Sequence, residues 1–145
     1  MIIIAYFDLD IYQFDIMNTF INALMDELIY VRYLDGFHVF SHCLRVLRAL
    51  YSLPWSLLLW YNDLSKTFKE LSLHLVLESS CLFTNDKIIV FFFVDDIIVL
   101  CHLSNQSVYE LFKSELLKVY NMREMRELKW FLEIYILWDY KQRKI

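Results

Sequence analysis

Glycine and proline are almost absent from this chain, with one of each in 145 residues, where roughly 7% and 5% are usual. Folds with many tight turns draw on both. Either the chain is mostly helical, or glycines and prolines have been lost from it. Cysteine is also sparse and unpaired: Cys43, Cys81 and Cys101 form no C-x-x-C motif, which excludes a disulfide framework and a zinc knuckle. All three are expected to be buried as small hydrophobes. A basic leader is missing too, since Asp8 follows the first seven residues with no Lys or Arg before it. No signal peptide is therefore read, and the expected location is intracellular, in cytoplasm or nucleus.

Long apolar runs are lacking although 59% of residues are hydrophobic, above the roughly 45–50% of soluble chains. The longest stretches free of Asp, Glu, Lys and Arg, residues 49–62 and 97–109, fall short of the ~20 residues a spanning helix needs. No membrane span is expected. A surplus of positive charge is absent as well. The net charge of −4 lacks the clustered Lys and Arg that grip phosphates, so the basic parts of any nucleic-acid machine would have to lie outside this chain.

What is present reads as a mixture of strands and helices. Residues 10–17 and 29–33 read as strands, as do 81–84, 88–94 and 97–101, with a hairpin turn around Asp95-Asp96. Residues 129–138 read as a last strand, with a turn near Asp139. From Leu57 the period becomes helical: Leu57, Trp60, Tyr61, Leu64, Phe68 and Leu71 share a face behind Ser56 as N-cap. Ser107 and Glu110 are spaced as a capping box ahead of Val108, Leu111, Phe112, Leu116, Val119 and Tyr120. No repeat or linker interrupts the chain. The expected architecture is a single α+β domain over residues 1–145, an antiparallel sheet with helices on one face.

The unusual feature is the Asp95-Asp96 pair between two apolar runs. Adjacent carboxylates repel, and beside buried strands they cost desolvation energy unless a cation holds them. Hard divalent ions such as Mg²⁺ suit such oxygen ligands. The pair reads either as a metal site or as a solvated turn. Asp15, on the first strand between Phe14 and Ile16, is a candidate third ligand or a strand-end residue.

Five ordered blocks then resemble one family. Residues 13–22 (QFDIMNTFIN) are similar to the copia-type motif Q-M-D-V-K-T-A-F-L-N, and Glu27-Leu-Ile-Tyr-Val31 followed by Gly36-Phe37 to E-E-I-Y-M and G-F. Residues 47–53 (LRALYSL) with Trp60-Tyr61 resemble L-K-A-L-Y-G-L and W-Y. Cys81-Leu-Phe83 and residues 93–97 (FVDDI) resemble C-L-F and Y-V-D-D-I. Met122, Glu127-Leu-Lys129, Phe131-Leu132 and Ile134 resemble the M-K-D-L-G-E-L-K-Y-F-L-G-I block. The chain thus resembles a copia-type retrotransposon reverse transcriptase, and the resemblance implies a polymerase palm-like fold. It further implies RNA-directed DNA polymerisation by a two-metal mechanism on an RNA or DNA template-primer with dNTP. Asp15, Asp95 and Asp96 would hold two Mg²⁺ ions, and Phe20 would stand at the sugar gate or in the core.

Departures from the family pattern are numerous. Pro54, Trp55 and Leu58 replace its Lys, Gln and Arg, and Met17 replaces a Lys. Its glycines appear as Ala23, Ser52, Arg126 and Glu133, and two prolines as Leu34 and Asp35. Several of these changes are single transitions, the mark of a decayed copy. The resemblance also implies a domain truncated at both ends, with fingers and most of the thumb missing or supplied by a partner chain. This copy is therefore expected to be inactive. Two rivals are a non-catalytic interaction module with an exposed apolar surface and a membrane-surface helix, against which Asp63 and Glu70 beside Lys66 and Lys69 speak. His38, His42 and Cys43 lack the second pair that a zinc site would need.

Overall fold

A computed structural model of the chain describes residues 2–37, 41–125, 130–131 and 134–136. In chain order the elements are α1 (Ile2–Phe7), β1 (Leu9–Ile16), a 3-10 turn (Thr19–Asn22), β2 (Leu24–Val31), β3 (Leu44–Arg48) and α2 (Ser56–Glu70). There follow β4 (His74–Leu75), β5 (Leu82–Thr84), β6 (Ile88–Phe93), β7 (Asp96–His102), a second 3-10 turn (Leu103–Asn105), α3 (Gln106–Val119), β8 (Met122–Met125), β9 (Trp130–Phe131) and β10 (Ile134–Tyr135). The fold is α+β, and among the described residues every strand pairing is antiparallel. Among the described residues no helix is long and apolar enough to cross a membrane. The chain divides into two compact units, Met1–Met17 with Lys66–Ile145, and Asn18–Ser65.

The first unit is built on a six-stranded sheet in the order β4-β5-β6-β7-β1-β8. Successive side chains of a strand alternate between faces, so Phe14 and Ile16 of β1 go to one face while Gln13 and Asp15 go to the other. α3 and the end of α2 around Phe68 cover the first of these faces. Phe68, at the end of α2, stands 5.2 Å from Phe83, 5.8 Å from Phe92 and 6.0 Å from Phe112 of α3 between ring centroids. These separations are favourable for aromatic pairs. Tyr109 of α3 stacks on Tyr12 at 3.8 Å and reaches Phe14 at 6.4 Å. Thr67 and Tyr120 share a buried hydrogen bond of 2.8 Å.

α2 ends in a Schellman motif. Leu73 N–H donates to Phe68 and Ser72 N–H to Lys69, each at 3.0 Å, with Ser72 in the left-handed region at φ +63°. Glycine is the usual residue at that position. Trp60, Leu64 and Phe68 are fully buried as the helical period predicts, whereas Leu57 is exposed.

Several expectations are corrected. α3 begins at Gln106, behind Asn105, which makes no side-chain cap. Ser107 therefore lies in the first turn and the capping box does not form. The cause is the 3-10 turn that carries the chain out of β7, fastened where the His102 ring accepts from Ser104 N–H at 3.2 Å. The buried face of α3 is Tyr109, Phe112 and Leu116, while Leu111 and Val119 are exposed. The single last strand over 129–138 is instead a pair, with Ile134 opposite Phe131 and Tyr135 opposite Trp130. Lys129, Trp138 and Asp139 lie outside the described residues, as do His38, Arg126 and Glu133. Of the cysteines only Cys101 is buried, Cys81 being intermediate and Cys43 exposed. Cys43 leads into β3, a strand with one buried residue.

The second unit carries the ribbon β2-β3, in which Ile29 pairs Val46 and Tyr30 pairs Arg45. The strand expected over 29–33 is the end of β2, which starts earlier, at Leu24. The base of the ribbon is tied by Ala49 N–H to Ala23 O at 3.1 Å and by Arg48 Nη1 to Asn22 O at 2.7 Å.

Candidate active site

The Asp95-Asp96 pair sits at the tightest connection of the sheet. Phe93 and Asp96 face each other across β6 and β7, leaving Val94 and Asp95 as a two-residue turn. The turn thus falls one residue earlier than the sequence suggests, because Asp96 is claimed by pairing on both sides as the first residue of β7. Val94 has φ +55° and Asp95 is not among the positive-φ residues. A positive φ at the first turn position alone is the pattern of a type II′ hairpin, where glycine normally sits. For a β-branched residue this conformation is an outlier, costing about 1–3 kcal/mol.

β1 supplies the third carboxylate. Asp15 lies opposite Asp96 in the β1-β7 register, and Ile16 N–H donates to Asp95 O at 2.9 Å. That bond joins the residue after Asp15 to the residue before Asp96, which makes Asp15 and Asp96 a non-hydrogen-bonded pair. Such pairs are the close ones, with Cα atoms about 4.5 Å apart and side chains on one face. Gln13 lies opposite Ile98 on the same face, and its Nε2 donates to Asp96 Oδ1 at 3.0 Å. On the other edge of β1, Arg123 of β8 lies opposite Asp15.

Burial pushes the Asp96 carboxyl above its ordinary range, the Gln13 hydrogen bond pulls it down, and the charges of Asp95 and Asp15 push it further up. The charges of Asp95 and Asp15 thus reach the Asp96 carboxyl. Like charges placed opposite on neighbouring strands destabilise, and among the described residues no ion pair holds Asp15, Asp95 or Asp96. Hard, mutually repelling oxygen donors are the chemistry that a hard divalent cation suits. The set is not closed, however, since among the described residues no three His, Cys, Asp or Glu side chains are grouped so as to hold an ion.

The structure thus brings Asp15, Asp95 and Asp96 to one end of one sheet. Phe20 belongs to the other unit, in the 3-10 turn, where its ring meets Tyr51 edge-on at 4.5 Å. Gln13 was not singled out by its sequence context, yet the strand period marks it, two residues before Asp15 and on the same face. A family model described as reverse transcriptase (RNA-dependent DNA polymerase) matches residues 1–145, the whole chain.

Proposed function

Because the chain belongs to the reverse transcriptase family, we propose that the end of its sheet carrying Asp15, Asp95 and Asp96 is a copia-type site for RNA-directed DNA polymerisation. The observation that carries this reading is the close Asp15/Asp96 pair with Asp95 in the adjoining turn. Asp15 and Asp95 serve as the main ligands of two Mg²⁺ ions, and Asp96 is their weaker or neighbouring partner. Bound there, the ions would activate a primer 3′-hydroxyl and stabilise the pyrophosphate leaving group. The protein's part is to hold the donors in place through the β1-β7 register and the Ile16 bond. Template-primer and dNTP are the ligands, and Phe20 is the sugar-gate residue by its motif position alone.

This copy does not polymerise by itself. Trp55 stands where the family has an amide that positions template and nucleotide, and Leu58 and Met17 stand where it has cations. Mn²⁺ titration followed by paramagnetic NMR broadening tests the metal reading, with D15N and D95N expected to weaken binding about tenfold or more. Equal affinity in the wild type and both variants would overturn it. Primer extension tests the loss of activity, and measurable dNTP incorporation by the wild-type chain would sink that part alone.

A further inference from the structure

The three aspartates are not equivalent, and the difference lies in a neighbour that is not ionisable. Gln13 is 7% exposed, and a buried amide is stable only when hydrogen-bonded. Its donor goes to Asp96 Oδ1. The register explains the reach: Gln13 opposes Ile98 and Asp15 opposes Asp96, so Gln13 and Asp96 are diagonal neighbours about 7–8 Å apart at Cα. That span suits a glutamine side chain.

Asp15 and Asp95 are placed otherwise. Asp95 is exposed in the turn, and only its backbone carbonyl is held, by Ile16 N–H. Neither side chain has a hydrogen bond or ion pair among the described residues. Their oxygens keep their lone pairs for another acceptor-seeking group.

We propose that Gln13 sorts the three carboxylates: by fastening Asp96 to β1 it keeps Asp96 out of the ligand set and leaves Asp15 and Asp95 as the pair that takes a divalent ion. The inference rests on the metal-binding reading above, and Gln13 acts in it as a positioning residue. Releasing Asp96 lets a third carboxylate join the ion.

The test is a Mn²⁺ affinity series on the full chain, with Mg²⁺ competition, for D15N, D95N, D96N, Q13L and the double variant Q13L/D96N. D15N and D95N each weaken binding by about tenfold or more, D96N changes it by less than about threefold, and Q13L tightens it, on the scale typical of groups that orient ligands. The double variant loses that tightening. In the metal-free protein the Gln13 side-chain amide resonances move in D96N and stay in place in D95N. If D96N weakens binding as much as D95N, Gln13 is orienting a ligand and the sorting is overturned while the metal reading stands. If no variant differs from the wild type, the metal reading falls and the sorting with it. An amide that D96N does not move overturns the tether without reference to any metal. Should Q13L fail to fold, D96N and the amide signal decide between these outcomes.

Discussion

The six-stranded sheet and the two-stranded ribbon are both rich in large apolar side chains, but they treat them in opposite ways. In the sheet, β6 alternates buried and half-buried residues and β7 buries Ile97, Ile98 and Val99 in succession. Phe14, Phe68, Phe83 and Phe92 are at most 3% exposed. In the ribbon, β2 has no buried residue and β3 has one, Val46, and Leu24, Leu28, Tyr30 and Leu47 are all more than half exposed. An isolated two-stranded hairpin is marginal in water, whereas several strands backed by helices are not. The carboxylates stand on the element that has its own core.

The largest break in this comparison comes from matched truncations. Phe68→Ala should lose about 3–5 kcal/mol in urea unfolding, while Leu47→Ala should stay within about 0.5 kcal/mol. Similar losses at both positions would show that the ribbon is as well packed as the sheet. Next in size is Tyr120→Phe, which removes the buried bond to Thr67 and should cost about 1 kcal/mol by the same measurement. Ser72→Gly relieves the left-handed Schellman position and should gain up to about 1 kcal/mol. A loss there would mean that the serine side chain compensates its strain.

The smallest effect is the one that bears on the site. The Asp96 carboxyl titrates above the unfolded value because of burial, with Asp95 and Asp15 adding to it. A raised carboxyl favours the folded state when protonated, so its contribution is complete below the ordinary value of 3.8 and is lost as pH rises through the folded value. Asp96→Asn should therefore be more stable than wild type at neutral pH by less than about 1 kcal/mol. Stability curves measured against pH should converge in acid, and parallel curves would show that Asp96 is not under this strain.

Much of this was legible in the chain itself. The α+β class, α2, the start of β1 and the hairpin with its aspartates all follow from local periodicity and turn residues. What escaped was set by partners distant in sequence. Asp96 enters a strand because Asp15 and Phe93 pair with it, and β8 exists because Asp15 and Ile16 accept it as a neighbour. Val94 escaped for another reason, since nothing about a valine advertises a positive φ. The exposure of Cys43 reflects the open character of the ribbon, which no property of cysteine could reveal.

The order of strands has a consequence for how the molecule breathes. β7 and the Gln13–Ile16 half of β1 are interior, paired with a neighbouring strand on both sides, so their amides can exchange with solvent deuterium only when a neighbouring ladder opens. They should be among the slowest to exchange, and the edge strands β4 and β8 faster. Asp15 rides near the end of one slow strand and Asp96 opens the other. The separation of these two carboxylates is thereby tied to the most persistent ladder of the sheet, and it should survive fluctuations that open the edges.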